Sequence, residues 1–386
     1  MINCYLTLNR YELELRIYFF IDTDKEGNDS VLIFSYVNIT NRDLKFSIKV
    51  LIITKLNHCF YLEKSFIFIK FRYKIKDKIM VNLSGFNSLF ELMKTFSSEE
   101  KCIEYLEKVR WNGNVVSPFD SNSKVYKCSK GYYCKSTNKM FNVKTGTIFE
   151  NTKIPLQKWF VGIWLITSHK KGISSLQLSK DINVTQKTGW FMLQRIRKCF
   201  EIENQHKLFN TVEVDETYIG GKERNKNIKP NKNGTQGRST KSKIPVIGMI
   251  ERKGKIVSHI IENAKSETLT SSIERIVDKS SKVYTDEWKG YCKIHTLYEH
   301  KFVKHNSNEF VDGEVYTNTI ECFWGLLKRG LLGIYHRTSR KHLQMYIDEF
   351  VFRYNTRTVN DLERFGILLS NMTNRLKYKD LISSLI

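Results

Sequence analysis

Three acidic side chains stand where short apolar runs end or turn. Asp215 closes Val212-Glu213-Val214-Asp215, and Asp286 directly follows Val283-Tyr284-Thr285. Both placements put a carboxylate at the carboxyl edge of a strand. Glu321 falls inside a helical stretch, with Trp324, Gly325 and Lys328 at i+3, i+4 and i+7 and hence on its own face. Carboxylates brought to adjacent strand ends repel one another, and a divalent cation is the usual compensation. Two Mg²⁺ ions held this way activate a water or hydroxyl and steady the leaving oxygen when a phosphodiester is cut. Lys328, two turns beyond Glu321, would reach backbone phosphate. Taken singly, each acid reads as a solvated or helix-capping residue; the ordered set, each member in the expected element, favours a metal site.

The elements that must position these acids have an α/β texture after Asn210. Thr211–Tyr218 alternates as a strand, and Ile244–Glu251 with Lys255–Glu262 forms a hairpin about Arg252-Lys253-Gly254. Ser266–Ser280 is a helix, Lys282–Thr285 a short buried strand, Tyr316–Leu331 a helix, and a last helical block runs from Ser339 to Asn355. This order predicts a mixed sheet flanked by helices. Upstream, Leu89–Phe96 and Cys102–Val109 read as helices, the second capped by Ser97-Ser98-Glu99-Glu100. Residues 111–149 are short strands and turns, and residues 155–200 turn helical, with Pro155 suited to a first helical position. Leu176–Ile182 and Gln186–Phe200 flank the turn Asn183-Val184-Thr185, and the second helix bears Lys187, Gln194, Arg195, Arg197 and Lys198. That pattern fits a helix-turn-helix, and equally a structural helical hairpin. Residues 1–79 hold strand-like runs (Val31–Phe34, Val50–Ile53, Phe66–Ile69) and no motif.

Composition narrows the partners. The 386 residues carry 63 Lys and Arg against 40 Asp and Glu, a net charge of +23. Such a surplus asks for a polyanion, most simply nucleic acid, unless it is only a solvated Lys-rich surface. It is uneven: residues 151–243 contain 18 basic and 7 acidic side chains, so the contact is expected to centre there. A 41% hydrophobic fraction excludes wholesale disorder, and no apolar run is long enough to span a membrane. Without a signal-like start, the 8 cysteines read as free thiols or metal ligands in a soluble intracellular protein.

Beyond these local readings, linked motifs carry a specific likeness. Val214–Lys222 (VDETYIGGK), Tyr284–Glu287 (YTDE) and Thr317–Gly330 (TNTIECFWGLLKRG) resemble the DDE transposases of the Merlin type and their bacterial insertion-sequence relatives. Gly333–His336, Lys341–Leu343 and Glu349–Arg357 (EFVFRYNTR) belong to the same pattern. The resemblance runs from about Met80 to Arg357, some 70% of the chain, and 34 residues separate Asp286 from Glu321. It implies an α/β fold: an RNase-H-like mixed sheet flanked by helices, preceded by a degenerate zinc-ribbon-like segment and a helix-turn-helix region. Asp215, Asp286 and Glu321 would be the metal-binding catalytic triad for Mg²⁺ or Mn²⁺, with Lys328 the basic residue after it. Water would nick the transposon ends, and the freed 3′-hydroxyl would attack target DNA. His305, His336 and Asn318 lie near the acids and would orient substrate or serve only as surface residues.

The likeness also divides the chain and exposes departures. Residues 1–79 form an unassigned extension, 80–150 a helical start with the ribbon, 151–205 the helix-turn-helix region, 206–360 the catalytic domain and 361–386 a tail. Zinc-ribbon relatives carry two Cys-x-x-Cys knuckles; here Ser117–Asp120 and Cys134–Thr137 stand in those places, leaving Cys134 as the single matching ligand. Asp120, Cys134 and the off-register Cys128 would make a poor makeshift set, so structural zinc is not expected. Aromatics such as Phe119, Tyr126, Tyr132, Tyr133 and Phe141 would then hold the segment. Tyr316 stands where relatives often have His. DNA contacts are expected from Lys187, Arg195, Arg197, Lys198, Lys222, Arg224, Lys226 and Arg329, on double-stranded terminal repeats and target DNA. The expected protein is a homo-oligomer free of membrane, in the nucleus of a eukaryote or the nucleoid and cytoplasm of a bacterium. The alternatives are a catalytically silent, transposase-derived DNA-binding protein and a structure-selective nuclease on the same core.

Overall fold

The structure is a computed structural model. It describes residues 86–220, 243–303, 311, 313–336, 338–373 and 375–383, and the backbone of six strands between residues 3 and 63. The chain divides into two compact units, Met1–Lys78 and Ile79–Ile386. In the first, β1 (Asn3–Leu6) pairs with β2 (Leu15–Tyr18). β3 (Ile21–Thr23), β4 (Asp29–Thr40), β5 (Lys45–Leu56) and β6 (Cys59–Glu63) form an antiparallel sheet in sequence order. The apolar runs at 31–34 and 50–53 lie in β4 and β5; the run at 66–69 is outside the described residues.

The second unit starts with α1 (Leu89–Thr95) and α2 (Glu99–Trp111), capped by the hydroxyls of Ser88 and Ser98. β7 (Val125–Cys128), β8 (Gly131–Cys134) and β9 (Lys139–Phe141) make an antiparallel three-stranded sheet. α3 (Leu156–Ser168), α4 (Ser175–Asp181) and α5 (Gln186–Phe200) follow. Pro155 is the residue before α3 and not its first member. The first α3 amide donates instead to a carboxylate 57 positions upstream, with Leu156 N 2.6 Å from Glu99 Oε2.

The larger sheet contains β10 (Thr211–Ile219), β11 (Ile244–Glu251), β12 (Ile256–Ile260), β13 (Lys282–Asp286) and β14 (Glu299–Val303). Its order is β12-β11-β10-β13-β14; the first three run antiparallel and β10, β13 and β14 run parallel, so the sheet is mixed as predicted. α6 (Ser266–Ile276) covers one face with Val212, Val214, Ile247, Met249 and Val283. α7 (Asn318–Gly330) and α8 (Leu343–Asn355) cover the other with Val246, Ile250 and Ile256. Period-two alternation along β10 and β11 thus feeds two cores at once.

Residues 361–386 were expected to be a tail. They instead contain α9 (Asp361–Ser370) and α10 (Tyr378–Ile382), and Phe365, Leu368 and Leu369 of α9 are buried in the helical core with Phe86, Phe96 and Phe160. Phe365 meets Phe86 edge-on at 5.5 Å between centroids. Among the described residues, no helix is long and apolar enough to cross a membrane.

Candidate active site

β10 and β13 bring the first two acids side by side. The parallel register pairs Glu213 with Tyr284, and Asp215 and Asp286 each lie two residues further along the same direction. Glu213, Asp215 and Tyr284 all face α7, because side chains alternate along a strand and match across a pair. Asp215 Oδ2 accepts from the indole Nε1 of Trp324 at 2.9 Å, and its Oδ1 accepts from the Glu216 amide at 2.8 Å. Burial and the neighbouring carboxylates of Glu216 and Asp286 push the Asp215 carboxyl up to about 8, against the pull of those two donors. Asp286 Oδ1 accepts from the Trp288 amide at 3.0 Å. Glu321 lies in the first turn of α7, exposed, with Thr317 Oγ1 3.4 Å from its Oε1. Lys328 and Arg329 are exposed two turns on.

The donor set consists of hard carboxylate oxygens, suited to Mg²⁺ or Mn²⁺. What raises Asp215, burial beside like charge, is the condition a divalent cation relieves. Yet among the described residues no three His, Cys, Asp or Glu side chains are gathered tightly enough to enclose an ion. The two aspartates meet the chemical requirement, and Glu321 stands on the adjoining helix outside a closed shell.

Residues that sequence patterning passed over hold this arrangement. Glu213 accepts from Thr319 N and Thr319 Oγ1, both at 2.9 Å, and pairs with Arg252 Nε at 2.9 Å. On the opposite face, Glu216 Oε2 accepts from the buried hydroxyl of Tyr291 at 2.7 Å. A charged residue at an inward position of an alternating strand was the available signal for Glu213.

The expected DNA-contacting residues separate into groups. Lys187 is exposed in the first turn of α5, its ammonium 5.6 Å from the Tyr378 ring. Lys198 is half-buried and ion-paired with Glu201. Arg195 and Arg197 do not face outward, which corrects the sequence expectation. Arg195, 5% exposed, donates to the carbonyls of Leu376, Ile148 and Glu150. Arg197, 1% exposed, binds Glu349 at 2.6 Å and lies against the rings of Tyr346 and Tyr335. Both guanidinium groups are thus enclosed among partners inside the protein. Lys222, Arg224, Lys226 and His305 lie outside the described residues. His336 Nδ1 contacts the Leu332 carbonyl at 3.1 Å, and Asn318 is exposed at the start of α7.

In the ribbon-like segment, the knuckle positions are joined by hydrogen bonds. Ser136 Oγ donates to Asp120 Oδ2 at 2.6 Å and lies 3.5 Å from Cys134 Sγ. Burial favours the neutral Cys134 thiol, but the hydroxyls of Ser117, Ser123, Thr137 and Ser136 outweigh it and bring it down to about 6. Cys128 cannot join this group. Val125 pairs with Cys134 and Cys128 with Gly131, so the two sulfurs sit three residues apart along the hairpin, about 10 Å. Tyr132 and Phe141 stack at 5.7 Å and Trp111 meets Tyr132 at 5.2 Å, while Tyr126 is exposed.

Comparison with known proteins bears on this site. Residues 207–355, which span β10 to α8 and all three acids, match the family described as the ISXO2-like transposase domain. An uncharacterized protein in transposable element ISH50 of Halobacterium salinarum is 31% identical over 278 residues, covering 68% of this chain and 92% of that protein. An uncharacterized transposase-like protein of Haemophilus influenzae is 29% identical over 103 residues, 27% of this chain and 83% of that one. Among solved structures, the Mos1 strand transfer complex aligns at 10% identity over 55% of this chain and 78% of that chain, with a TM-score of 0.25. With its motifs in place and a relative matched over nearly that protein's full length, the chain belongs to the ISXO2-like, DDE-type transposase family.

Proposed function

We propose that the protein is a DNA transposase that nicks the ends of its own element and joins them to target DNA. Asp215, Asp286 and Glu321 are its metal-binding acids. The observation that carries this reading is the parallel register of β10 and β13, which sets Asp215, midway along β10, and Asp286, at the end of β13, each two residues beyond the Glu213–Tyr284 pair, with the half-buried Asp215 carboxyl pushed up to about 8. The sheet order supports an RNase-H-like core.

A divalent cation bound there supplies an acidified water and positive charge at the leaving oxygen. Asp215 must release its proton to bind, while Trp324 Nε1 keeps Oδ2 oriented. Asp286 is steered by the Trp288 amide. Glu321 closes the site from α7, and exposed Lys328 and Arg329 on the same helix engage the phosphate backbone. The α4–α5 hairpin serves as the helix-turn-helix, with Lys187 at the exposed start of α5 as a duplex contact. The ribbon-like segment is held by its hydroxyls and rings without zinc. Work on two transposon ends calls for at least two copies of the chain, located with the DNA in the nucleus or nucleoid.

A second reading, DNA binding without cleavage, is favoured by one observation: among the described residues the three acids are not gathered into a closed shell. Nicking of duplexes carrying the repeats that flank the gene separates the two. The transposase reading expects Mg²⁺-dependent nicks that Glu321→Gln abolishes while thermal unfolding stays intact. Equal nicking by Glu321→Gln removes Glu321 from the triad, and binding without nicks at any Mg²⁺ or Mn²⁺ concentration establishes the silent alternative.

A further inference from the structure

The three acids share a feature that their motifs do not state. Counting back two residues from each leads to the same ion pair, Glu213 with Arg252. Two before Asp215 is Glu213 itself. Two before Asp286 is Tyr284, whose ring lies 4.9 Å from the Arg252 guanidinium carbon. Two before Glu321 is Thr319, whose amide and hydroxyl both donate to Glu213 at 2.9 Å. We propose that Glu213 and Arg252 are positioning residues that set the spacing of Asp215, Asp286 and Glu321; this rests on the metal-site reading above.

The geometry is over-determined in a way burial alone would not require. Thr317, at the N-cap of α7, makes no side-chain capping bond. Glu213 takes that role from another element, since its Oε2 accepts from Thr319 N and also from Ile320 N at 3.2 Å. Its Oε1 holds the Thr319 hydroxyl and Arg252 Nε. The rest of the guanidinium fork donates to the carbonyls of Glu314 at 2.7 Å and Tyr316 at 3.0 Å, and the Tyr316 ring stacks 3.5 Å away. The pair therefore fixes where the chain enters α7 and where that helix begins relative to β10. A buried charge pair adds little stability over apolar packing of the same volume, but its bonds are directional. Here they restrain the axial position of α7, and a short slide of the helix would carry Glu321 away from the aspartates. Neither residue touches the reacting atoms; both act through the acids.

The test uses the full-length chain and Mn²⁺ as the probe. Mn²⁺ binding by calorimetry, duplex affinity in EDTA, and the Mg²⁺ dependence of nicking are compared for wild type, Glu213→Gln and Arg252→Lys. Glu213→Gln should weaken Mn²⁺ binding by about tenfold, as loss of a residue supporting metal ligands does. Its affinity for DNA in EDTA should be unchanged, and the half-saturating Mg²⁺ for nicking should rise in parallel. Arg252→Lys keeps a charge for Glu213 but loses the fork, and an intermediate loss is expected. If Glu213→Gln does not fold, Arg252→Lys carries the test alone. Wild-type Mn²⁺ affinity in every folded variant overturns the positioning role and leaves the metal-site reading standing. Absence of Mn²⁺ binding by the wild type overturns that reading and this inference with it.

Discussion

Trp324 donates its indole N–H to Asp215 across 2.9 Å, and the same ring rests on Gly248, the residue paired with Asp215 between β10 and β11. A Cβ added at Gly248 would lie 2.6 Å from Trp324 Cζ2 and 2.8 Å from Ile320 Cδ1. The helix carrying one acid is thus seated on β11, directly beside the strand carrying another, through a gap that only glycine leaves open.

Gly248→Ala should therefore lift Trp324 and α7 together. A cost of about 1–3 kcal/mol is expected from overpacking a filled core. Thermal unfolding reads the stability, and a nicking assay below the melting point should show a loss larger than stability explains. A variant with wild-type nicking would show that the seat is not needed.

The elevated Asp215 carboxyl makes metal binding and stability depend on pH. In the folded protein it is pushed up to about 8, well above the ordinary carboxylate range. Without metal, the folded form holds its proton more tightly, so this group's contribution to stability is full below the unfolded value and is lost as pH rises towards 8. A cation must displace that proton, so Mg²⁺ should raise the melting temperature more at pH 8.5 than at pH 6 in solutions buffered at about those values. Asp215→Asn should remove the pH dependence of that difference.

Arg197, Glu349 and Arg353 form a buried cluster, with Glu349 2.6 Å from each guanidinium and also accepting from Tyr335. Burial works against the Glu349 carboxylate, yet Arg353 and Arg197 hold it below the ordinary range. Glu349→Leu strands both cations and should cost about 3–5 kcal/mol by denaturant unfolding. Gly172, at φ +91° and with the Tyr335 hydroxyl standing where a Cβ would go, closes the same cluster, and Gly172→Ala should also destabilise.

DNA affinity should respond to Lys187 and not to its buried neighbours on α5. Lys187→Ala is expected to weaken duplex binding and to lower the slope of log affinity against log salt by about one unit. Arg195→Ala should lower the unfolding temperature, because three carbonyls lose their donor. An unchanged salt slope for Lys187→Ala would take α5 out of the interface.

The elements around the acids were legible because the strand and helix periods of residues 211–286 and 316–355 are strong. Arg195 and Arg197 were misread because a positive face on a helix resembles a DNA-reading face. Here that face is enclosed: Met192–Arg197 is continuously buried, with Arg197 bound to α8. Glu213 was overlooked because its partners at Thr319 and Ile320 lie over 100 residues away. The helix after residue 360 did carry a local signal. Asn360 caps it by accepting from the Glu363 amide at 2.8 Å, an N-cap with an acid three residues on.

Metal ligation by the aspartates can be tested by changing the softness of the ligand. Thiolate favours Mn²⁺ over Mg²⁺ more strongly than carboxylate does. Asp286→Cys in the full-length chain should lose Mg²⁺-supported nicking of terminal-repeat DNA and regain it with Mn²⁺. Nicking by Asp286→Cys that stays as strong with Mg²⁺ as in the wild type would contradict a metal-binding role for this acid.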